Sequence, residues 1–152
     1  MLFNDALKEY EYHCLARGYT KKTMINKRQE YKHLYNFLAE KRGVKELESI
    51  TFHDLRAYIR FRQQSGIEPS SIHSMAKQAI AFFNWCIKEE YLITNPMDKV
   101  ALPKLPKKTF IGFTLKEVLS MIQAFNDKEY LEVRNKAIIA MMADCGLRGA
   151  WR

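Results

Sequence analysis

The sequence is short of the residues that build disulfide-linked or metal-binding proteins. Its three cysteines, Cys14, Cys86 and Cys145, are odd in number, far apart and each set in an apolar helical pattern. This pattern is typical of reduced core thiols in a cytosolic protein. The four histidines are scattered, with no i,i+4 pair and no cysteine cluster near them. The sequence therefore predicts no metal site and no cofactor.

Long apolar runs and strand patterns are also missing. No apolar run approaches the ~20 residues that a membrane-spanning helix needs, and the acidic, aromatic N-terminus is unlike a signal peptide. No segment shows the alternating pattern of a strand, an internal repeat or low complexity. These absences predict an all-α protein with no membrane partner and no small-molecule substrate.

Positive charge is the strongest compositional signal. The formal net charge is +8 and the pI is about 9.4. Basic residues outnumber acidic ones in residues 1–45 and 99–152, but not in 46–98. Two separated cationic segments favour a nucleic acid, because each phosphate that they neutralise releases counterions. Solubility alone and attachment to a membrane surface remain alternatives.

Apolar residues at three- and four-residue spacing predict six helices. They cover about residues 3–16, 20–42, 51–65, 69–90, 114–125 and 130–145. We interpret residues 1–95 as a four-helix unit and 96–110 as a basic, proline-containing linker, which we call the strap. Residues 111–152 then begin a second unit, whose two helices are too few to close a core by themselves.

The first turn of the second helix carries two lysines, Lys21 and Lys22, beside Thr23 and Asn26. Cations are unfavourable there, because the N-terminal end of a helix is the positive end of its dipole. A phosphate bound by the backbone N–H groups and both ammoniums would relieve this conflict. Solvated lysines screened by salt are the alternative.

Two further segments resemble nucleic-acid contacts. The face of the fourth helix opposite its apolar stripe carries small or polar residues that suit phosphates and base edges, namely Ser70, Ser71, His73 and Lys77. The strap carries lysines without an acidic residue after Asp98, including Lys104, Lys107 and Lys108. A soluble helix surface and a solvated linker are the respective alternatives.

The last predicted helix ends at Gly146, and Arg148 follows it. A helix that ends beside an arginine can fix a guanidinium, whose fork geometry suits phosphate oxygens. A helix cap followed by an exposed arginine explains the same pattern. The stretch therefore leaves both interpretations open.

Several short motifs, taken in order, resemble one family. They are GYTKKT at 18–23, LYNFL at 34–38, ITFHDL at 50–55, PSSI at 69–72, FFNW at 82–85, NP at 95–96, LPK at 102–104, FTLKEV at 113–118, RNKA at 134–137 and CGLR at 145–148. Residues 1–95 are similar to the core-binding, SAM-like domain of tyrosine recombinases, the phage-type integrases. Residues 111–152 resemble the start of that family's catalytic domain.

The resemblance implies a DNA-binding protein that lacks most of an active site. In the family, the second and fourth helices and the strap face the duplex, and Arg148 corresponds to the first catalytic arginine. After Arg148 the chain reads GAWR, without the family's usual continuation, and all eight tyrosines precede Arg148. The resemblance thus predicts a truncated, catalytically incomplete recombinase in the cytoplasm, associated with the nucleoid.

The implied partners are double-stranded DNA and other recombinase protomers. Two alternatives remain from the residues alone. One is a helical protein-interaction module that binds no DNA. The other is the N-terminal part of an intact site-specific recombinase.

Overall fold

A computed structural model of the chain describes residues 1–107, 109, 111–126 and 128–146. The chain divides into two compact units, Met1–Pro106 and Lys107–Arg152. Within the described residues the only strand-type pairing is an isolated bridge between Leu2 and Glu46, and the remainder is helix, turn and coil. The predicted all-α fold is confirmed. None of the described helices has the length and apolarity that crossing a membrane requires.

The α-helices of the described residues follow the predicted order. They are α1 (Phe3–Ala16), α2 (Lys21–Asn36), α3 (Phe52–Gln64), α4 (Pro69–Lys88), α5 (Leu115–Gln123) and α6 (Tyr130–Cys145). A π-helical turn at Phe37–Lys41 continues α2, and 3-10 turns lie at Leu47–Ser49 and Pro96–Lys99.

Threonine side chains fix three of the helix starts. The Thr20 hydroxyl accepts a hydrogen bond from the backbone N–H of Thr23, at 3.3 Å, and begins α2. Thr51 and Thr114 form complete capping boxes at α3 and α5, with an acidic residue three positions later that accepts from the cap backbone. These hydrogen bonds satisfy N–H groups that have no partner within the helix.

One predicted helix end differs from the structure. The fourth helix was expected to reach residue 90 but ends at Lys88, because Glu90 takes a left-handed conformation with φ of 61°. Left-handed positions at helix ends usually carry glycine, so a glutamate there is no local signal for this stop. The second helix is predicted to run to about Arg42, and the structure agrees, since the π-helical turn after Asn36 continues it to Lys41.

The core of the first unit is an aromatic cluster centred on Phe82 of α4. Its ring centroid lies 5.4 Å from that of Tyr10 on α1, 5.8 Å from Phe3 and 5.8 Å from Tyr31 on α2. Phe82 is fully buried. Because α1 and α2 both pack on this one ring, the cluster fixes the placement of α2 beside α4.

The second unit has no comparable core among its described residues. No residue of α5 or α6 is buried, and Phe113 and Tyr130 are mostly exposed. Cys145 is exposed as well, so its prediction as a core thiol is wrong, whereas Cys14 and Cys86 are buried as expected. The apolar pattern of α6 alone could not show whether another element covers it.

The buried carboxylate of Asp54 ties the start of α3 to the end of the π-helical turn. It accepts hydrogen bonds from the Thr51 hydroxyl at 2.6 Å and from the Arg42 guanidinium at 2.9 Å. Burial acts to raise the pKa of Asp54, but these hydrogen bonds together outweigh it and hold the pKa below its usual value.

We expect Asp54→Ala to lower the free energy of unfolding by about 2 kcal/mol at pH 7, because a helix cap and a charge-assisted hydrogen bond are both lost. A carboxylate whose pKa is lower in the folded state stabilises the protein at pH values above its unfolded-state pKa, which is about 3.9. This stabilisation is lost as the pH falls through the folded-state pKa. The difference in free energy of unfolding between parent and variant should therefore shrink from pH 5 towards pH 2 in urea titrations. Asp5→Ala, at an exposed ion pair with Lys8, is the matched control. A gap that stays constant with pH would contradict the assigned role.

Candidate nucleic-acid interface

The outer side of α4 is a stripe of small and basic residues. Ser70, Ser74 and Lys77 are exposed, while Ile72 and Met75 on the opposite side are buried. With 3.6 residues per turn, these exposed positions recur on one face of the helix. The stripe presents hydroxyls and one ammonium without bulky side chains, so that a flat or grooved surface can approach the helix closely.

Helix α2 lies along one side of this stripe. The Tyr31 hydroxyl donates to the backbone carbonyl oxygen of Gln78 at 3.1 Å. The start of α2 carries the exposed side chains of Lys21, Lys22 and Thr23, and its first turn contains no acidic residue. Two ammoniums and the positive end of the helix dipole therefore meet at one place, which favours an anion.

The strap lies along the other side of the stripe. The imidazole Nε2 of His73 and the backbone oxygen of Pro103 are 2.7 Å apart. His73 and Gln78 are separated by about 140° around the helix axis, and the exposed stripe occupies the angle between them. Helix α4 is therefore flanked by α2 on one side and by the strap on the other.

Apolar and polar anchors hold the strap against the first unit. Met97 and Val100 are buried in its core. The Asn95 side-chain amide donates to Asn84 of α4 at 2.7 Å, and the Arg56 guanidinium donates to the carbonyl oxygen of Lys99 at 3.3 Å. Residues 96–106 thus belong to the same compact unit as the four helices.

Residues 7–90 match the family model described as phage integrase, N-terminal SAM-like domain. The chain belongs to this family. The match covers more than half of the chain and includes α2 and α4, the two helices of the candidate interface.

Curated relatives of this SAM-like domain are tyrosine recombinases. The chain is 23% identical over 138 residues to tyrosine recombinase XerC of Bacillus licheniformis, covering 91% of this chain and 45% of the relative. It is 28% identical over 100 residues to tyrosine recombinase XerD of Proteus mirabilis, covering 66% of this chain and 32% of the relative. The chain spans less than half the length of these relatives.

Solved structures share the fold. A lambda integrase dimer bound to a COC' core site superposes with a TM-score of 0.64 at 25% identity, covering 82% of this chain and 43% of that one. The Tn1549 transposon integrase in complex with a circular intermediate DNA superposes with a TM-score of 0.73 at 14% identity, covering 95% and 45%. Because its identity is only 14%, the likeness to the Tn1549 integrase shows a shared fold alone.

The SAM-like domain gathers most of the predicted site residues on α2, α4 and the strap. Asn26, Ser71 and Lys104 are exposed, as are the other predicted residues of these elements except His73, which is half-buried. The Ser70 hydroxyl donates to Glu68 at 3.3 Å, so this donor already has a partner within the protein. Lys107 belongs to the second unit, and Lys108 and Arg148 lie outside the described residues.

Lys27 shows how the fold separates lysines that look alike in the sequence. Its ammonium lies 5.3 Å from the ring centroid of Tyr10 and 5.6 Å from that of Tyr31, in a cleft of about 210 Å³ between α1 and α2. Burial lowers the pKa of Lys27. The amine thus points into the SAM-like domain, away from the stripe on α4, in agreement with its place on the apolar side of α2.

Sequence reasoning missed the residues that hold the strap in place. Asn95 enters the sequence analysis only as part of the NP motif, yet it is buried, accepts from the N–H of Met97 at 2.9 Å and donates to Asn84 at 2.7 Å. An Asn-Pro pair is a signal for a capped turn, but its partner on α4 lies eleven residues away. Among the described residues no group of three or more His, Cys, Asp or Glu side chains is placed to hold a metal.

Proposed function

We propose that the chain binds duplex DNA through α2, α4 and the strap, mainly by contacts to phosphates. The observation that carries the proposal is the stripe on α4, which is free of bulky side chains and lies between two cationic elements. A solved relative in complex with DNA, the lambda integrase, supports it. The high positive charge of the chain supplies the long-range attraction.

The proposed contacts divide by chemistry. The lysines neutralise phosphates, whereas hydroxyl and amide side chains donate to phosphates or base edges. The proposed set is Lys21, Lys22, Thr23, Asn26, Ser70, Ser71, Lys77, Lys104, Lys107 and Lys108. Because ammoniums on flexible stems carry no sequence information, we expect modest base preference from the lysines.

We further propose a division of labour along the chain, with residues 1–95 as the core-binding domain, 96–110 as the strap and 111–152 as the start of a catalytic domain. By resemblance, Arg148 is the first catalytic arginine, which would hold the scissile phosphate. No tyrosine follows Arg148 in these 152 residues. They therefore bind DNA without forming a covalent intermediate. In a cell the chain would occupy recombination sites at the nucleoid beside other recombinase protomers.

Titration of a labelled 30-base-pair duplex at several salt concentrations tests the proposal. With about five phosphate contacts, log K should fall against log salt with a slope of about −4 to −5. The same protein should leave supercoiled plasmid intact, because it supplies no nucleophile. Absence of binding at 50 mM salt would favour the protein-interaction module instead, and relaxed plasmid would refute the proposed lack of cleavage.

A further inference from the structure

One side-chain contact joins α4 to the last residues of the strap in the first unit. The imidazole of His73 is half-buried and its Nε2 lies 2.7 Å from the Pro103 carbonyl oxygen. A carbonyl oxygen can only accept, so Nε2 carries the hydrogen and donates. This contact links residues 30 positions apart in the chain.

The contact lies between two lysines of the proposed interface. Lys77 is one helical turn after His73 and therefore projects from the same side of α4. Lys104 directly follows Pro103, whose ring fixes its own φ. The buried anchors of the strap, Met97 and Val100, both come earlier in the chain. Among the described residues, the His73–Pro103 hydrogen bond is thus the last side-chain hydrogen bond that holds the strap before Lys104.

We propose that His73 is a positioning residue, which fixes the separation of Lys77 and Lys104 by holding Pro103 against α4. This inference rests on the proposed function and changes the role of one predicted DNA contact. With Nε2 donating to Pro103, only Nδ1 of the ring is left for another partner. His73 therefore serves DNA binding through the strap.

A double-mutant cycle measures this indirect action. We expect His73→Leu to weaken binding to the 30-base-pair duplex about fivefold, the usual effect of one lost hydrogen bond. In a Lys104→Ala background the same substitution should change affinity by less than about 1.5-fold, because the lysine that His73 positions is gone. His73→Gln should bind nearly as the parent does, since its amide can donate to Pro103. Equal losses in both backgrounds, or a glutamine variant as weak as the leucine variant, would overturn the proposal.

A second measurement needs no DNA. Nitroxide labels at Lys77→Cys and Lys104→Cys report the distance between the two positions by pulsed electron resonance. Cys145→Ser removes the exposed thiol, and Cys14 and Cys86 are buried. We expect a narrow distance distribution in the parent and in His73→Gln, and a broad one in His73→Leu. Equal widths in all three would refute the contact. If the widths are as expected but the unlabelled parent does not bind DNA, the proposed function is refuted and the His73–Pro103 contact is still supported.

Discussion

Removing four lysines of the proposed interface is expected to weaken duplex-DNA binding by about a hundred- to a thousandfold at 0.1 M salt. The variant carries alanine at Lys22, Lys77, Lys104 and Lys107. Each lysine that neutralises a phosphate adds about −0.9 to the slope of log K against log salt. The slope should therefore rise by about 3 to 4 along with the loss of affinity. Fluorescence anisotropy over a salt series measures both quantities.

A matched control variant distinguishes direct contacts between lysines and DNA from the effect of net charge alone. Alanine at Lys8, Lys45, Arg60 and Lys116 removes the same formal charge, and all four side chains are exposed and lie outside α2, α4 and the strap. Three of them lie in the first unit and one in the second, as in the interface variant. We expect the control to lose less than about tenfold in affinity, because exposed charges act weakly beyond a Debye length. Similar losses in the two variants would show that binding follows overall charge and would remove the case for an interface on α2, α4 and the strap.

Phe82→Ala should produce the largest loss of stability, about 3 to 5 kcal/mol. The ring is fully buried and lies within 6 Å of the ring centroids of Phe3, Tyr10 and Tyr31. Truncation removes the buried apolar surface and leaves a cavity at the junction of α1, α2 and α4. Since small domains are stable by only about 5 to 15 kcal/mol, much of the folded population should be lost on mild heating. Thermal and urea unfolding followed by circular dichroism measure the effect.

Phe113→Ala is the matched control for this prediction. Phe113 has the same side chain but is 75% exposed, so its truncation should change the free energy of unfolding by less than about 0.5 kcal/mol. Because Phe82 places α2 beside α4, its variant should also bind DNA more weakly at temperatures where it is still folded. A Phe82 variant as stable as the Phe113 variant would refute the aromatic cluster as the centre of the fold.

The sequence predicted the helices well because their signals are local. Thr20, Thr51, Thr114 and Pro69 each mark a helix start by chemistry within four residues, and each start agrees with the structure. The buried stripe of α4 was also predicted correctly, since helical periodicity is fixed once the helix is known. The stop at Glu90 was missed because a left-handed glutamate depends on its surroundings.

The strap shows where local reasoning ends. Lysines and prolines without acidic residues are equally typical of a solvated linker and of a packed segment. The contacts that decide between them join residues distant in sequence, such as His73 with Pro103 and Arg56 with Lys99. No spacing rule connects such pairs. The exposure of Cys145 was missed for the same reason, because an apolar helix pattern does not identify the element that covers it.

The sequence by itself determined which residues form helices, which side of each helix is apolar, and that positive charge dominates. It also carried the family resemblance, which residues 7–90 confirm. Only the tertiary structure decided that the stripe on α4 lies between α2 and the strap, that Lys27 points into a cleft, and that His73 is bonded to Pro103. Helix formation depends on neighbours within a few turns, whereas the placement of one surface beside another depends on burial of side chains far apart in the chain.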